Sequence, residues 1–198
     1  MPNESVRPDH RIISDLIDPG ALVMDLGCGD GDLLALLVRE KKVKAQGIEL
    51  KEVSIYSCVE KGLSVFHGDI ETGLGGYADG SFDFVILNQS MQEVKDVDFL
   101  IREALRVAKK VIVGFPNMAH LRARSYLFFL GRGPVSASLP YRWYDTPNVH
   151  YLSVDDFRDF CADKGIRIVE ERFLSGNRRV HLWPNLLAEN AVVVIAKS

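Results

Sequence analysis

Glycine stands at every second position of Gly27-Cys28-Gly29-Asp30-Gly31. This stretch follows the apolar run Ala21 to Leu26 and precedes Asp32 to Lys41, where Leu33, Leu34, Leu37 and Val38 recur at helical spacing. A buried strand that enters a turn without side chains and leaves it as a helix is a βα unit of a parallel sheet. The turn then lies at the carboxyl edge, where such folds bind ligands. The chain is large enough for that fold. Its 198 residues, 47% hydrophobic and 26% charged, can withdraw roughly 70% of the unfolded surface from water.

The same rhythm continues to residue 115. Ile12, Ile13, Leu16 and Ile17 mark a first helix that Pro19-Gly20 ends. Val43 to Leu50 is a second strand, and Val53, Tyr56 and Val59 mark a helix closed by Gly62. Leu63 to Phe66 and Phe82 to Leu87 are further strands, followed by a helix over Asp98 to Ala108 and a fifth strand over Val111 to Phe115. Strands that are apolar throughout and alternate with helices predict a sheet covered on both faces.

The rhythm breaks at about 116–152, where Tyr126, Phe128, Phe129, Tyr141, Trp143, Tyr144 and Tyr151 crowd in. Gly131, Gly133, Pro134, Pro140 and Pro147 keep helices there short. Ser153 and Asp156 have capping-box spacing for a helix ending at Gly165. Arg167 to Leu174 and Ala191 to Lys197 are two final strands, and the residues between them, Ser175 to Asn190, are too many for a tight hairpin. The expectation is a single α/β domain over residues 1–198 with an insertion or lid at about 116–152.

Lys and Arg (24) against Asp and Glu (27) leave a net charge of −3, which gives no general attraction to nucleic acid or to an anionic membrane. Cys28, Cys58 and Cys161 are odd in number and far apart, so they build neither a disulfide framework nor a local metal knuckle. That pattern suits a reducing cytoplasm. The start, Met1-Pro2-Asn3-Glu4 and on to Arg11, holds no apolar stretch of signal-peptide type. The longest apolar runs, Tyr126 to Leu130 and Ala191 to Ala196, fall far short of the ~20 residues a bilayer needs. A soluble, cytoplasmic protein is expected.

The glycine spacing, G-x-G-x-G, brings the third glycine one residue earlier than a dinucleotide fingerprint requires, and Asp25, Asp30 and Asp32 would repel a pyrophosphate. An NAD-binding oxidoreductase therefore fits poorly. A cationic or zwitterionic ligand such as S-adenosylmethionine fits the charge better. Gly47-Ile48-Glu49-Leu50 sets a carboxylate at the end of the second strand, where it can accept ribose hydroxyls. Asp69 and Ile70 follow the third strand near an adenine edge, and Asn88 follows the fourth, near a methionine moiety. A single carboxylate at a strand end is ordinarily just solvated. Four suitable residues at four successive strand ends are harder to assign to chance.

These residues resemble the class I S-adenosylmethionine-dependent methyltransferases, through Asp25-Leu26-Gly27-Cys28-Gly29-Asp30-Gly31, Gly47-Ile48-Glu49, Gly68-Asp69-Ile70 and Ser81-Phe82-Asp83-Phe84-Val85. The resemblance implies a Rossmann-like, seven-stranded, mostly parallel sheet with helices on both faces and the last strand antiparallel. It also implies a cofactor site of Asp25, Gly27, Cys28, Gly29, Gly31, Glu49, Leu50, Asp69, Ile70 and Asn88. A narrower likeness covers nearly the whole chain. Phe115-Pro116-Asn117, Gly131-Arg132-Gly133-Pro134-Val135, the run Leu139 to His150, and Trp183-Pro184-Asn185-Leu186 are similar to the methionine-biosynthesis protein family MetW. That likeness implies partnership with a homoserine O-acyltransferase, whose activity such proteins support. The alternative is an active methyltransferase on a small-molecule acceptor.

Methyl displacement is accelerated largely by alignment, so the absence of an evident base does not exclude activity. The fourth strand runs into Asn88-Gln89-Ser90-Met91, without an Asn-Pro-Pro-Tyr box, and Gln92 and Glu93 stand where many small-molecule methyltransferases carry a histidine. Those features and the charge argue against nucleic acid as substrate. Candidates for an acceptor site are His120, Tyr141, Arg142, Tyr144 and His150, with Tyr141 and His150 the candidates for handling a proton. The competing reading makes Tyr141, Trp143 and Tyr144 a patch that docks a partner or covers the ligand. Arg122, Arg124, Arg132, Arg178 and Arg179 read as solvated rather than as phosphate ligands, with a rim role in docking left open, the cysteines as packing, and the histidines as too scattered for a metal site.

Overall fold

The computed structural model describes residues 6 to 198; Met1 to Ser5, part of the segment inspected for a signal sequence, lie outside the described residues. In chain order the elements are α1 (Pro8–Leu16), β1 (Leu22–Leu26), α2 (Asp32–Lys41), β2 (Lys44–Glu49), α3 (Glu52–Glu60), β3 (Ser64–His67) and β4 (Phe82–Asn88). A 3-10 turn (Met91–Glu93) leads to α4 (Val97–Val107) and β5 (Ala108–Pro116). The rest of the chain forms α5 (Leu121–Leu130), α6 (Val154–Asp163), β6 (Ile166–Ser175), β7 (Arg178–Val180), α7 (Pro184–Leu187) and β8 (Asn190–Lys197).

All the strands join one sheet in the order β3-β2-β1-β4-β5-β8-β6-β7. The first five run parallel, and β8 slots antiparallel between β5 and β6, with Val113 opposite Val193. The Rossmann-like expectation holds, with one strand more than the seven anticipated. The addition is β7, which pairs with β6 across a two-residue Gly176-Asn177 turn, Ser175 facing Arg178. No tight hairpin joins β6 to β8, as the length of Ser175 to Asn190 predicts; β7 and α7 fill the stretch between them.

Successive strand residues alternate between two cores, as a sheet covered on both faces requires. Met24, Leu26, Val85, Leu87, Val111 and Val113 pack under α4 and α6 through Leu100, Ile101, Phe157 and Cys161. Val23, Phe84, Ile86, Ile112 and Val194 face α1 and α2 through Ile12, Ile13, Ile17, Leu33 and Leu37. Each fully buried aliphatic or aromatic side chain contributes roughly 1.5–3 kcal/mol, so these two layers dominate the stability. Helix α3 departs from the pattern. Its spacing predicts a helix correctly, yet Val53, Tyr56 and Val59 face solvent and only Cys58 is buried. No helix among the described residues is long and apolar enough to cross a membrane.

The capping box at α6 forms as its sequence predicts. Ser153 Oγ accepts from the Asp156 N–H at 3.1 Å, and Asp156 Oδ2 accepts from the Ser153 N–H at 2.8 Å. Ser153→Ala is expected to lower stability by about 1 kcal/mol. In urea titration the midpoint should fall with the slope unchanged; an unmoved midpoint would show that the helix does not depend on its cap.

Candidate functional site

The sheet order reverses between β1 and β4, and the carboxyl ends of these strands, with those of β2 and β3, bring the glycine loop, Glu49, Asp69 and Asn88 to one edge. Gly27, Gly29 and Gly31 all have left-handed backbones, at φ +77°, +55° and +80°. Their surroundings differ. A Cβ on Gly31 would lie 2.6 Å from Leu63 Cδ1 and 2.8 Å from Cys58 Sγ, and one on Gly27 would lie 2.8 Å from Ser90 Cβ. A Cβ on Gly29 would meet nothing within 4 Å. Gly27 and Gly31 are therefore bare so that the loop can pack, and Gly29 is the one that opens onto free space.

The loop's amides are not bare. Gly27 N–H donates to Ile48 O at 2.8 Å, Gly31 N–H to Cys28 O at 3.0 Å, and Gly29 N–H to Glu49 Oε2 at 2.8 Å. None of the three glycine amides is therefore left for a ligand. Glu49 is buried and also accepts from the Leu50 and Lys51 N–H groups on Oε1, each at 2.9 Å. Its carboxylate fixes the glycine loop to the end of β2. A carboxylate has about four acceptor sites, so Oε2 keeps one lone pair for an incoming hydroxyl.

Asp25, one residue before the end of β1, lies between Gly47 and Ile86, is 3% exposed, and accepts no hydrogen bond within the described residues. Burial, reinforced by the Glu49 charge, raises its pKa from 3.8 to about 7. Asn88 donates from Nδ2 to Asp9 Oδ2 at 3.0 Å, and its Oδ1 is buried with no partner among the described residues. Gly114 on β5 makes room for it, since a Cβ there would lie 2.1 Å from Asn88 Oδ1. Asp69 is exposed, and its Oδ1 accepts from the Glu71 N–H at 2.9 Å. Gly68 N–H ties this turn to Glu49 O at 3.0 Å. Ile70 packs on the core, and Leu50 is exposed. Cys28 is buried, in contact with the space a Gly47 side chain would fill. Burial raises all three thiols, Cys161 to about 11, so none is poised as a nucleophile.

Beyond Asn88, a cavity of about 510 Å³ opens, with Asp9, Gln89, Gln92, Glu93, Tyr141 and Asn148 among its walls. Gln89 holds a left-handed backbone at φ +62°, a strained state of the kind that clusters at functional sites. Burial pushes the Glu93 carboxyl up. Tyr141 stands on the wall. His150 turns elsewhere, with Nε2 3.3 Å from Lys95 O. His120 is buried at the start of α5, Nδ1 3.0 Å from Asn117 O, while Arg142 and Tyr144 are exposed.

Arg7 and Asp9 were not anticipated at this edge. Burial pushes Asp9 up, but the Asn88 hydrogen bond and the Arg7 charge outweigh it and hold the carboxyl below its ordinary value. The available signal was a carboxylate and a histidine, Asp9 and His10, inside a helix that otherwise buries isoleucines.

The family model for methionine biosynthesis protein MetW matches residues 7–195. The chain belongs to the MetW family. A bifunctional methionine biosynthesis protein, MetXA/MetW, from Rhodopirellula baltica is 31% identical over 198 residues, covering 93% of this chain. This MetW-family chain spans only about a third (32%) of that relative's length. Among solved structures, a SAM-dependent methyltransferase from Thermotoga maritima, described as a possible histamine N-methyltransferase, superposes with a TM-score of 0.67 at 19% identity, covering 96% of this chain and 87% of that one. The [4+2]-cyclase SpnF superposes with a TM-score of 0.69 at 18% identity, covering 95% and 80%. These likenesses show the fold, and one such fold serves methyl transfer and a cyclase alike.

Proposed function

We propose that this MetW-family chain binds S-adenosylmethionine along the edge formed by Asp25, Gly27, Cys28, Gly29, Gly31, Glu49, Leu50, Asp69, Ile70 and Asn88, and acts in the cytoplasm with a homoserine O-acyltransferase. One observation carries the ligand reading: the site offers unsatisfied acceptors. A buried carboxylate on Asp25 and a buried, unpartnered Asn88 Oδ1 suit a ligand bearing an ammonium and a sulfonium and would repel a pyrophosphate. Glu49 Oε2 holds one ribose hydroxyl, and Asp69 lies at the adenine side. The fused relative supports the partner, because two activities joined in one chain share a high effective concentration.

Titration calorimetry with S-adenosylmethionine and with NAD tests the ligand. Heat is expected from the first alone, and the reverse result would sink the reading. Asp69→Ala should weaken S-adenosylmethionine binding roughly tenfold, the worth of one hydrogen bond to a charged group, without moving the melting temperature. Unchanged affinity would remove Asp69 from the site. The acyltransferase rate with and without this chain tests the partner, and an unaltered rate would exclude support of that enzyme.

The 510 Å³ cavity favours a second reading, methyl transfer to a small molecule. The bound cofactor would supply an activated methyl on sulfur. Tyr141 Oη and the Glu93 carboxyl would orient an acceptor and take its proton, with Ala137, Pro140 and Asn148 of the 116–152 stretch walling the cavity beside it. A methylated product formed without the acyltransferase, together with no effect on that enzyme, would favour this second reading.

A further inference from the structure

Helix α5 has the least internal support of any long element. Of its ten residues only Ala123 is buried, and its last turn, Leu127-Phe128-Phe129-Leu130, is exposed throughout, Phe128 by 83% and Phe129 by 77%. A helix of this length is marginal alone in water and depends on a packed face, so the apolar end of α5 lacks the surface that would hold it. Beyond Gly131, Trp143 is 86% exposed and Tyr144 63%. Phe128 and Phe129 lie edge to face at 5.0 Å, and Trp143 and Tyr144 at 5.6 Å. Each pair presents rigid rings outward.

Along the sequence up to Tyr144 the charge is one-sided, and the first carboxylate after it, Asp145, accepts from the Arg142 N–H at 2.7 Å. No Asp or Glu occurs between Glu103 and Asp145, whereas Arg122, Arg124, Arg132 and Arg142 do. Among the described residues none of these four guanidinium groups pairs with a carboxylate, although eight of the other ten arginines do. Exposed Phe, Trp and Tyr with unpaired Arg close by in the sequence have the composition of an interface centre. At roughly 150–250 Å² for each buried aromatic, the four rings offer about 600 Å² of the ~800 Å² per partner that a stable interface uses.

The charge also selects the occupant. A two-fold contact with a second copy would set arginine against arginine. An anionic bilayer would attract the four arginines but repel the remainder, which carries −7 once those four are taken from a chain of net −3. We infer that the outer face of α5, with the Trp143–Tyr144 pair, is the docking surface for the acyltransferase proposed above, met by an apolar patch rimmed with carboxylates. The inference rests on that reading of the partner. The segment that carries Trp143 and Tyr144 also reaches the cavity, since Val149 and His150 N–H both donate to Gln92 O, at 2.8 and 3.0 Å, and Tyr141 and Gln92 line it.

The test measures binding of the same organism's purified homoserine O-acyltransferase to the full chain by interferometry. The variants are Phe128→Ser/Phe129→Ser, Trp143→Ala/Tyr144→Ala and Arg122→Glu/Arg124→Glu. Each is expected to weaken binding at least tenfold with the melting temperature unchanged, because the substituted side chains are solvent-exposed. If the parent binds and all three variants keep its affinity, the surface is wrongly assigned and the functional reading survives. If the parent does not bind, both fall. Two further outcomes overturn the inference in favour of another occupant. One is a parental mass of two chains by light scattering that drops to one in the phenylalanine variant. The other is parental binding to phosphatidylserine vesicles that this variant loses.

Discussion

An Asp25→Asn chain is expected to melt at a higher temperature than the parent at pH 8 while losing at least tenfold in affinity for S-adenosylmethionine. Asp25 is buried without a partner among the described residues, and its pKa rises from 3.8 to about 7. Between those values the folded chain holds this proton more tightly than the unfolded chain does. The parent's stability therefore declines as the pH climbs through that window, and above about pH 7 the full cost of burying the charge is present. That cost is on the order of 4 kcal/mol at ~1.4 kcal/mol per tenfold change in proton affinity. Asn removes the charge but leaves a buried amide needing partners, so a gain of about 2 kcal/mol at pH 8 is expected, with little or none at pH 4. A cationic ligand would favour the ionised carboxylate, so parental affinity should rise from pH 6 to pH 8 and the variant's should not. Equal melting curves for parent and variant at pH 8, or a parental affinity independent of pH, would overturn this account of Asp25.

The two glycine variants Gly31→Ala and Gly29→Ala are expected to fail in opposite ways. At Gly31 a methyl meets Leu63 and Cys58 below 3 Å on a left-handed backbone. Backbone strain of roughly 1–3 kcal/mol adds to overpacking of similar size, so about 3 kcal/mol or more of stability should disappear. At Gly29 the backbone cost of about 1 kcal/mol stands alone, because the methyl enters open space. That space is where the ligand is proposed to lie, so Gly29→Ala should fold and bind weakly. Urea titration and calorimetry separate the two effects. A Gly29→Ala chain with parental affinity would place the ligand elsewhere.

Much of this architecture was legible in the residues because it is written in local periods. Helix α2 occupies Asp32–Lys41, as its leucine spacing predicts, and the α6 capping box forms from Ser153 and Asp156. What periodicity could not supply was which way a helix faces. Val53, Tyr56 and Val59 mark α3 correctly, yet point to water, and Cys58 is the residue that turns inward. Strand β7 went unread because Arg178-Arg179-Val180 has no apolar alternation. Only the Gly176-Asn177 turn betrays it.

The site divides in the same way. The carboxylates at successive strand ends can be ordered from sequence, since the fold sends each strand's end to one edge. The use Glu49 makes of its oxygens depends on folding the glycine loop back onto β2. The contact between Asn88 and Asp9 joins residues 79 positions apart, so nothing local announces it.

The sheet's two margins bear on how copies of a chain with so many bare rings can meet one another. Its outermost strands are β3, four residues long, and β7, three residues long and carrying Arg178 and Arg179. Neither presents a ladder long or flat enough to recruit a neighbour's backbone, and the cationic end of β7 would repel its own image. Self-propagating strand addition is thereby closed off, and encounters between copies are left to side chains, which can let go again.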